Sequence, residues 1–287
     1  MINILKPVDW KKTTLQSLQH IPQVPETLYY KGKLPPEETT LLTVVGSRHY
    51  SSYGKRVIAD LIEGLQGYSV GIVSGLARGI DALAHEAALA AGLYTLAVPG
   101  SGLDPVVIYP RQNRALAERI IQNGGGLMSE LAPTTKAARW TFPQRNRLMA
   151  GLAKATLLIE ATERSGTLIT ARMAVDYNRE LFVVPGDIYA PGSAGVHQFL
   201  KLGATPITSS EDIVHALKLT KTKTSEKQDD KLSPTATKLL SFLTTPVDID
   251  TLAAHSGYSA QEIVGTLMEL ELHGKIRHEN GLYSRRI

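Results

Sequence analysis

The sequence contains no cysteine. That absence excludes disulfide scaffolds, cysteine-ligated zinc and thiol catalysis, and it fits a reducing compartment. No long hydrophobic run is present. The most apolar stretch, Ala87–Val98, is broken by Gly92 and is too short to span a bilayer. Residues Met1 to Trp10 lack a charged start followed by an apolar core, so no signal peptide is read. A soluble, cytoplasmic protein without a membrane partner is expected. Nucleotide signatures are missing too: no Gly-x-Gly-x-x-Gly opens a helix after the first strand-like run, and no Gly-x-x-x-x-Gly-Lys-Ser/Thr occurs. The eight histidines show no metal-ligand spacing, and there is no Gly-x-Ser-x-Gly nucleophile elbow. No cofactor, metal or catalytic residue is therefore expected.

What is present is a globular composition, 43% apolar over 287 residues, enough for one large and one small domain. The net charge of +4 is unevenly placed. Residues 232–287 hold five Lys/Arg against six Asp/Glu, whereas Lys136–Lys154 holds five basic residues and no acidic one. Residues 1–40 are proline-containing and read as an N-terminal extension wrapping onto the main domain. From Leu41 an apolar run, a glycine-containing loop and a helical pattern repeat. The runs are Leu41–Gly46, Val70–Ser74, Leu93–Val98, Gly126–Ser129, Ala155–Glu160 and Leu181–Val184. Continuous apolar strands are buried on both faces, as in a parallel sheet. Residues 41–219 are thus expected to form a Rossmann-like, doubly wound, mostly parallel α/β domain. Residues 220–231 are polar and read as a linker. Residues 232–287 read as a small winged-helix domain: helices near Pro234–Leu243, Ile249–His255 and Ser259–Leu272, then a two-stranded wing turning at Glu279-Asn280-Gly281.

In open α/β sheets, ligands bind at the carboxyl ends of the strands. Here those loops are Gly46-Ser47-Arg48, Gly75-Leu76-Ala77-Arg78-Gly79, Gly100-Ser101-Gly102, Ser165-Gly166-Thr167 and Pro185-Gly186. One such glycine could merely permit a tight turn. Five loops at successive strand ends point to phosphate, approached by backbone N–H groups and helix N-termini. The segment Arg139–Arg147 interleaves Arg139, Arg145 and Arg147 with Trp140 and Phe142. Guanidinium groups fork onto phosphates and aromatic faces stack bases, a pairing suited to single-stranded nucleic acid. Trp140 is also a candidate core residue. Asp81 and His85 share a helix face, and a structural role is preferred over a catalytic dyad.

These residues resemble the DNA processing protein A (DprA/Smf) family. The resemblance is carried by Val45–Arg48 with Tyr53-Gly54, Ser74–Asp81 with Ala84-His85, Gly100–Asp104 with Tyr109-Pro110, Ser129-Glu130 with Pro133, Phe142–Arg147 with Ala150-Gly151-Leu152, Glu160-Ala161 with Ser165–Leu168 and Thr170-Ala171, and Val184-Pro185-Gly186. It implies a non-enzymatic homodimer of natural transformation. Such a protein binds incoming single-stranded DNA, protects it from nucleases and helps load RecA. It also implies a DNA pocket containing Arg48, Arg139 and Phe142, with the glycine loops as backbone donors. Two departures are visible. Residues 1–40 stand where many members carry a full helical domain, and Val196-His197 follows Gly195 where members commonly show Asn.

Two rivals remain. A nucleotide phosphoribohydrolase of the same superfamily would share the Arg145-to-Met149 spacing. It would need a carboxylate where this chain has Thr170, which cannot serve as acid or base near neutrality. A winged-helix transcription regulator would need cations on its third helix, which instead carries Glu262, Glu269 and Glu271 and no Lys or Arg.

Overall fold

The computed structural model describes residues 1–10, 13–222, 232–243, 245–279 and 281–285. The chain divides into two compact units, Met1–Thr222 and Lys223–Ile287. Residues 223–231 of the expected linker and Asn280 of the expected wing turn lie outside the described residues. Residues 220–222 belong to the first unit. Ser69 N donates to Thr220 O, and Thr222 N donates to Gly67 O.

The first unit is built on nine strands: β1 (Asn3–Leu5), β2 (Leu28–Gly32), β3 (Thr40–Val45), β4 (Val70–Ser74), β5 (Tyr94–Ala97), β6 (Gly126–Ser129), β7 (Ala155–Leu158), β8 (Glu180–Val183) and β9 (Thr205–Pro206). Their order is β1-β2-β6-β5-β4-β3-β7-β8-β9. From β6 to β9 all neighbours are parallel. Residues 1–40 do more than wrap around this sheet: β1 and β2 extend its β6 edge antiparallel.

Both faces are buried, and alternation along each strand shows it. Val45, Leu158 and Val183 enter one core, while Val44, Leu157 and Phe182 enter the other. The first core is covered by α5 (Thr141–Leu152), α6 (Thr167–Asp176) and α7 (Ala194–Lys201). The second is covered by α2 (Ser52–Glu63), α3 (Ile80–Ala90) and α8 (Ser210–Leu217), with α4 (Arg114–Gln122) beside them over Ala97 and Leu127. A short helix, α1 (Pro7–Trp10), ends in the fully buried Trp10. A 3-10 turn, Thr14–His20, buries Leu15 and Leu18 against α5. Each such leucine contributes roughly 1.5–3 kcal/mol of burial, so the N-terminal segment is an integral layer of this unit.

Strand order reverses between β3 and β7. Loops leaving these two strands flank the crevice where doubly wound folds hold their ligands.

The second unit packs α9 (Pro234–Phe242), α10 (Ile249–Ser256) and α11 (Ala260–Leu272) around Leu239, Leu252, Ile263, Leu267 and Leu270. Ser259 and Glu262 form a capping box that starts α11. Strands β10 (Ile276–Glu279) and β11 (Leu282–Arg285) pair antiparallel, and Val247 adds a bridge to Tyr283.

Candidate nucleic-acid interface

The loop after β3 is held from several sides so that one side chain projects. Gly46 lies against Ile80, and a Cβ there would come within 2.7 Å of that side chain. Thr167 Oγ1 donates to Gly46 O at 3.0 Å, and Ile80 N donates to Ser47 O at 3.1 Å. Ser47 Oγ donates to His49 O at 2.7 Å and accepts from His49 N at 3.0 Å. At the far end, the Ser51 amide and hydroxyl both donate to the buried Glu160 carboxylate. Arg48, between these anchors, is exposed. Its guanidinium carbon stands 5.6 Å from the centroid of the Phe142 ring. Tyr109 meets the same ring edge-on at 5.8 Å.

Phe142 lies in the first turn of α5, and Arg145 follows it on the same helical face. Arg145 is buried and donates to Val98 O at 2.6 Å. Gly75 leaves room for it, because any Cβ there would overlap the guanidinium. Asp81 lies alongside. It accepts from Gly75 N at 3.2 Å and Ala77 N at 3.4 Å. Burial pushes the Asp81 carboxyl up, opposed by Arg145 and these two amides. Burial lowers Arg145 to about 10, with Asp81 opposing, so it stays cationic at neutral pH. His85, bonded through Nδ1 to Thr95 Oγ1 at 2.7 Å, is pushed by burial down to about 3 and is neutral. Asp81 and His85 are therefore parts of the scaffold beneath the loops.

Above this floor lie two depressions that share Arg48, His49, Ala77, Phe142 and Arg145. One, of about 270 Å³, adds Gly75, Arg78, Tyr109 and Pro110. The other, of about 560 Å³, adds Gly46, Ser47, Arg139, Ser165, Gly166, Thr167 and Thr170. Together they form a groove with an aromatic floor and cations along its length, at the reversal point of the sheet. Among the described residues, no group of three or more His, Cys, Asp or Glu is placed to hold a metal ion. No described helix is long and apolar enough to cross a membrane.

Residues 8–218 match the family model for DNA recombination-mediator protein A, and residues 222–281 match that for the DprA winged helix domain. The chain belongs to the DprA/Smf family. It is 38% identical over 270 residues to Protein Smf of Escherichia coli, covering 91% of this chain and 72% of that one. The solved structure of DprA from Streptococcus pneumoniae is similar with a TM-score of 0.69 and 36% identity, over 75% of this chain and 74% of that chain. A structure of DNA processing protein A from Helicobacter pylori, concerned with its single-stranded DNA binding mode, gives a TM-score of 0.67 and 26% identity. It covers 76% of this chain and 95% of that one. The α/β domain followed by a winged-helix domain is the DprA architecture.

Five residues expected at the interface line neither depression: Leu76, Gly100, Ser101, Gly102 and Arg147. Leu76 is fully buried with φ of +57°, and Asn113 Nδ2 donates to its carbonyl. The Gly100–Gly102 loop is buried and bonded inward. Gly102 N donates to Thr135 O, and Thr141 Oγ1 donates to Gly100 O. Gly100 instead supports Phe142 from below. Arg147 points away from the groove. It pairs with Glu130 at 2.5 Å and donates to Gln23 O. The amides of Gly75 and Ala77, expected as phosphate donors, are bonded to Asp81. Trp140, a candidate core residue, is 60% exposed.

Sequence reasoning did not place Tyr109 or His49 at the site. Tyr109 was visible only as part of a Tyr-Pro pair, with nothing in its spacing to tie it to Phe142. In the winged-helix unit, Glu262 caps α11, and Glu269 accepts from the amide and hydroxyl of Ser233. These carboxylates hold the fold, and the same helix exposes Val264 and Met268.

Proposed function

We propose that the chain is a single-stranded DNA-binding protein. It would protect incoming DNA, help load a RecA-type recombinase and perform no covalent chemistry. The observation that carries this is the Phe142 ring set beneath the Arg48 guanidinium and against Tyr109, in a groove that also presents Arg78, Arg139 and Arg145. Guanidinium groups take successive phosphates while an unpaired base stacks on the ring. A duplex cannot supply that base without unstacking it. The solved Helicobacter pylori relative, described for its single-stranded DNA binding mode, supports the same reading.

The carboxylates at and beside the groove are engaged: Asp81 with backbone amides and Arg145, and Glu160, in the neighbouring depression, with Ser51. Neither is free to act as a general base, and Thr170 is buried where a hydrolase would need a carboxylate. Release of base from nucleoside monophosphates by the pure protein would overturn the non-enzymatic reading.

The proposed contact set is Gly46, Ser47, Arg48, Arg78, Arg139, Phe142, Arg145, Ser165, Gly166 and Thr167, within a DNA-binding domain at 41–219. Family membership supports the proposed recombinase partner and homodimer, and light scattering tests the second. A competition assay tests the whole. Unlabelled single strands should displace a labelled oligonucleotide, and the matching duplex should not. Equal displacement by both would refute the reading.

A further inference from the structure

A third depression, of about 660 Å³, opens beside the groove. His49 lines all three, so the surfaces are continuous. Its character differs from that of the groove. It carries Tyr50, Tyr53, Glu160 and Asp187 and no Lys or Arg. Aromatics are unusually exposed there: Tyr50 by 43%, Tyr53 by 39%, and Tyr189 by 87% on the rim between Asp187 and Ala190. Tyr53 is held at both ends, by its place in the first turn of α2 and by its hydroxyl, which donates to Pro185 O at 2.6 Å. The Tyr189 turn is held by its amide, which donates to Asp187 Oδ1 at 2.8 Å.

Two carboxylates without a cation repel phosphate. Exposed aromatic faces beside the Asp187 carboxylate suit a nucleobase, whose π-face stacks and whose N–H edge donates. We infer that this depression is a second nucleobase subsite, taking the base next along the strand from the one at Phe142 while the phosphates stay with the arginines. The inference rests on the single-strand reading of the Arg48 groove. The groove binds the charged backbone and one base, and the tyrosine surface lengthens the site without adding charge.

The test uses the full chain and oligothymidylates of increasing length, read by fluorescence anisotropy. Tyr50→Ala/Tyr189→Ala alters exposed side chains outside the Arg48 groove, with Arg48→Ala as the reference. The double variant should bind the shortest ligands as the parent does and lose about tenfold on ligands long enough to reach both subsites. It should also lose the quenching of a 2-aminopurine placed next to the groove-bound base. Arg48→Ala should lose affinity at every length. If the double variant matches the parent at every length while Arg48→Ala is impaired, the subsite is wrong and the groove stands. An equal loss at all lengths would likewise refute a separate subsite. If Arg48→Ala binds as the parent does, the groove reading fails and takes the subsite with it.

Discussion

Gly100→Ala offers a test of the aromatic floor that substitutes no groove side chain. A Cβ at Gly100 would lie 2.6 and 2.7 Å from two carbons of the Phe142 ring. Ordinary contact begins near 3.4 Å, so the ring must retreat by roughly 1 Å or tilt. Phe142 is half-buried and faces an open groove, so it can move without unpacking the core. Moving it disturbs the Arg48 and Tyr109 contacts, worth about 0.5–1 kcal/mol each. It also misplaces a stacking surface worth about 1–3 kcal/mol per base. A loss of about 1 kcal/mol in affinity for oligothymidylate, roughly fivefold, is expected. Phe142→Ala should lose more. The decisive measurement is the cycle: in a Phe142→Ala background, Gly100→Ala should have almost no further effect on anisotropy titrations. Equal losses in both backgrounds would refute transmission through the ring, and with it the placement of the base on Phe142.

Arg78→Ala should reduce the slope of log affinity against log salt by about 0.7, one phosphate contact on a single strand; an unchanged slope removes Arg78 from the path. Arg147→Ala leaves the Glu130 carboxylate without its ion-pair partner and should cost about 3 kcal/mol in urea unfolding. Affinity per folded molecule should stay at the parental value, and a selective loss of DNA binding would return Arg147 to the interface. His85 has its folded pKa depressed to about 3 from 6.5. The unfolded chain therefore takes up the proton first as pH falls, and stability is lost from about pH 6.5 downward. By pH 5 this amounts to about 2 kcal/mol. A His85→Gln variant should lack that increment when urea unfolding at pH 7 and pH 5 is compared, and an identical pH loss would contradict it.

The central strands were legible because each is a run buried on both faces, and Val70–Ser74 needs no partner to be read. β2 was not, because Leu28–Gly32 is buried at Leu28 and only partly covered elsewhere, the pattern of a mixed strand near a sheet edge. The Arg139–Arg147 segment was read by composition, which carries no direction. Once α5 begins at Thr141, Phe142 and Arg145 share a face, while Arg147, two residues on, turns to Glu130. The glycine loops carry no direction either. Glycine permits close approach to anything. At Gly102 the neighbours are the Ala132 and Pro133 carbonyls, and at Gly75 an arginine of the same chain. The winged helix was legible through its three short helical patterns and the wing turn that follows them; in the structure Asp248 and Ser259 cap α10 and α11, and Gly257, with φ of +75°, ends α10.

The central claim is that Arg48, poised over Phe142, is the anchor for single-stranded DNA. Its most direct test is titration of a labelled single strand with the parent and with Arg48→Ala at moderate salt. Loss of a charge-assisted phosphate contact and of the cation above the ring predicts a fall of roughly tenfold or more, with folding stability unchanged. Parental affinity in Arg48→Ala would contradict the account.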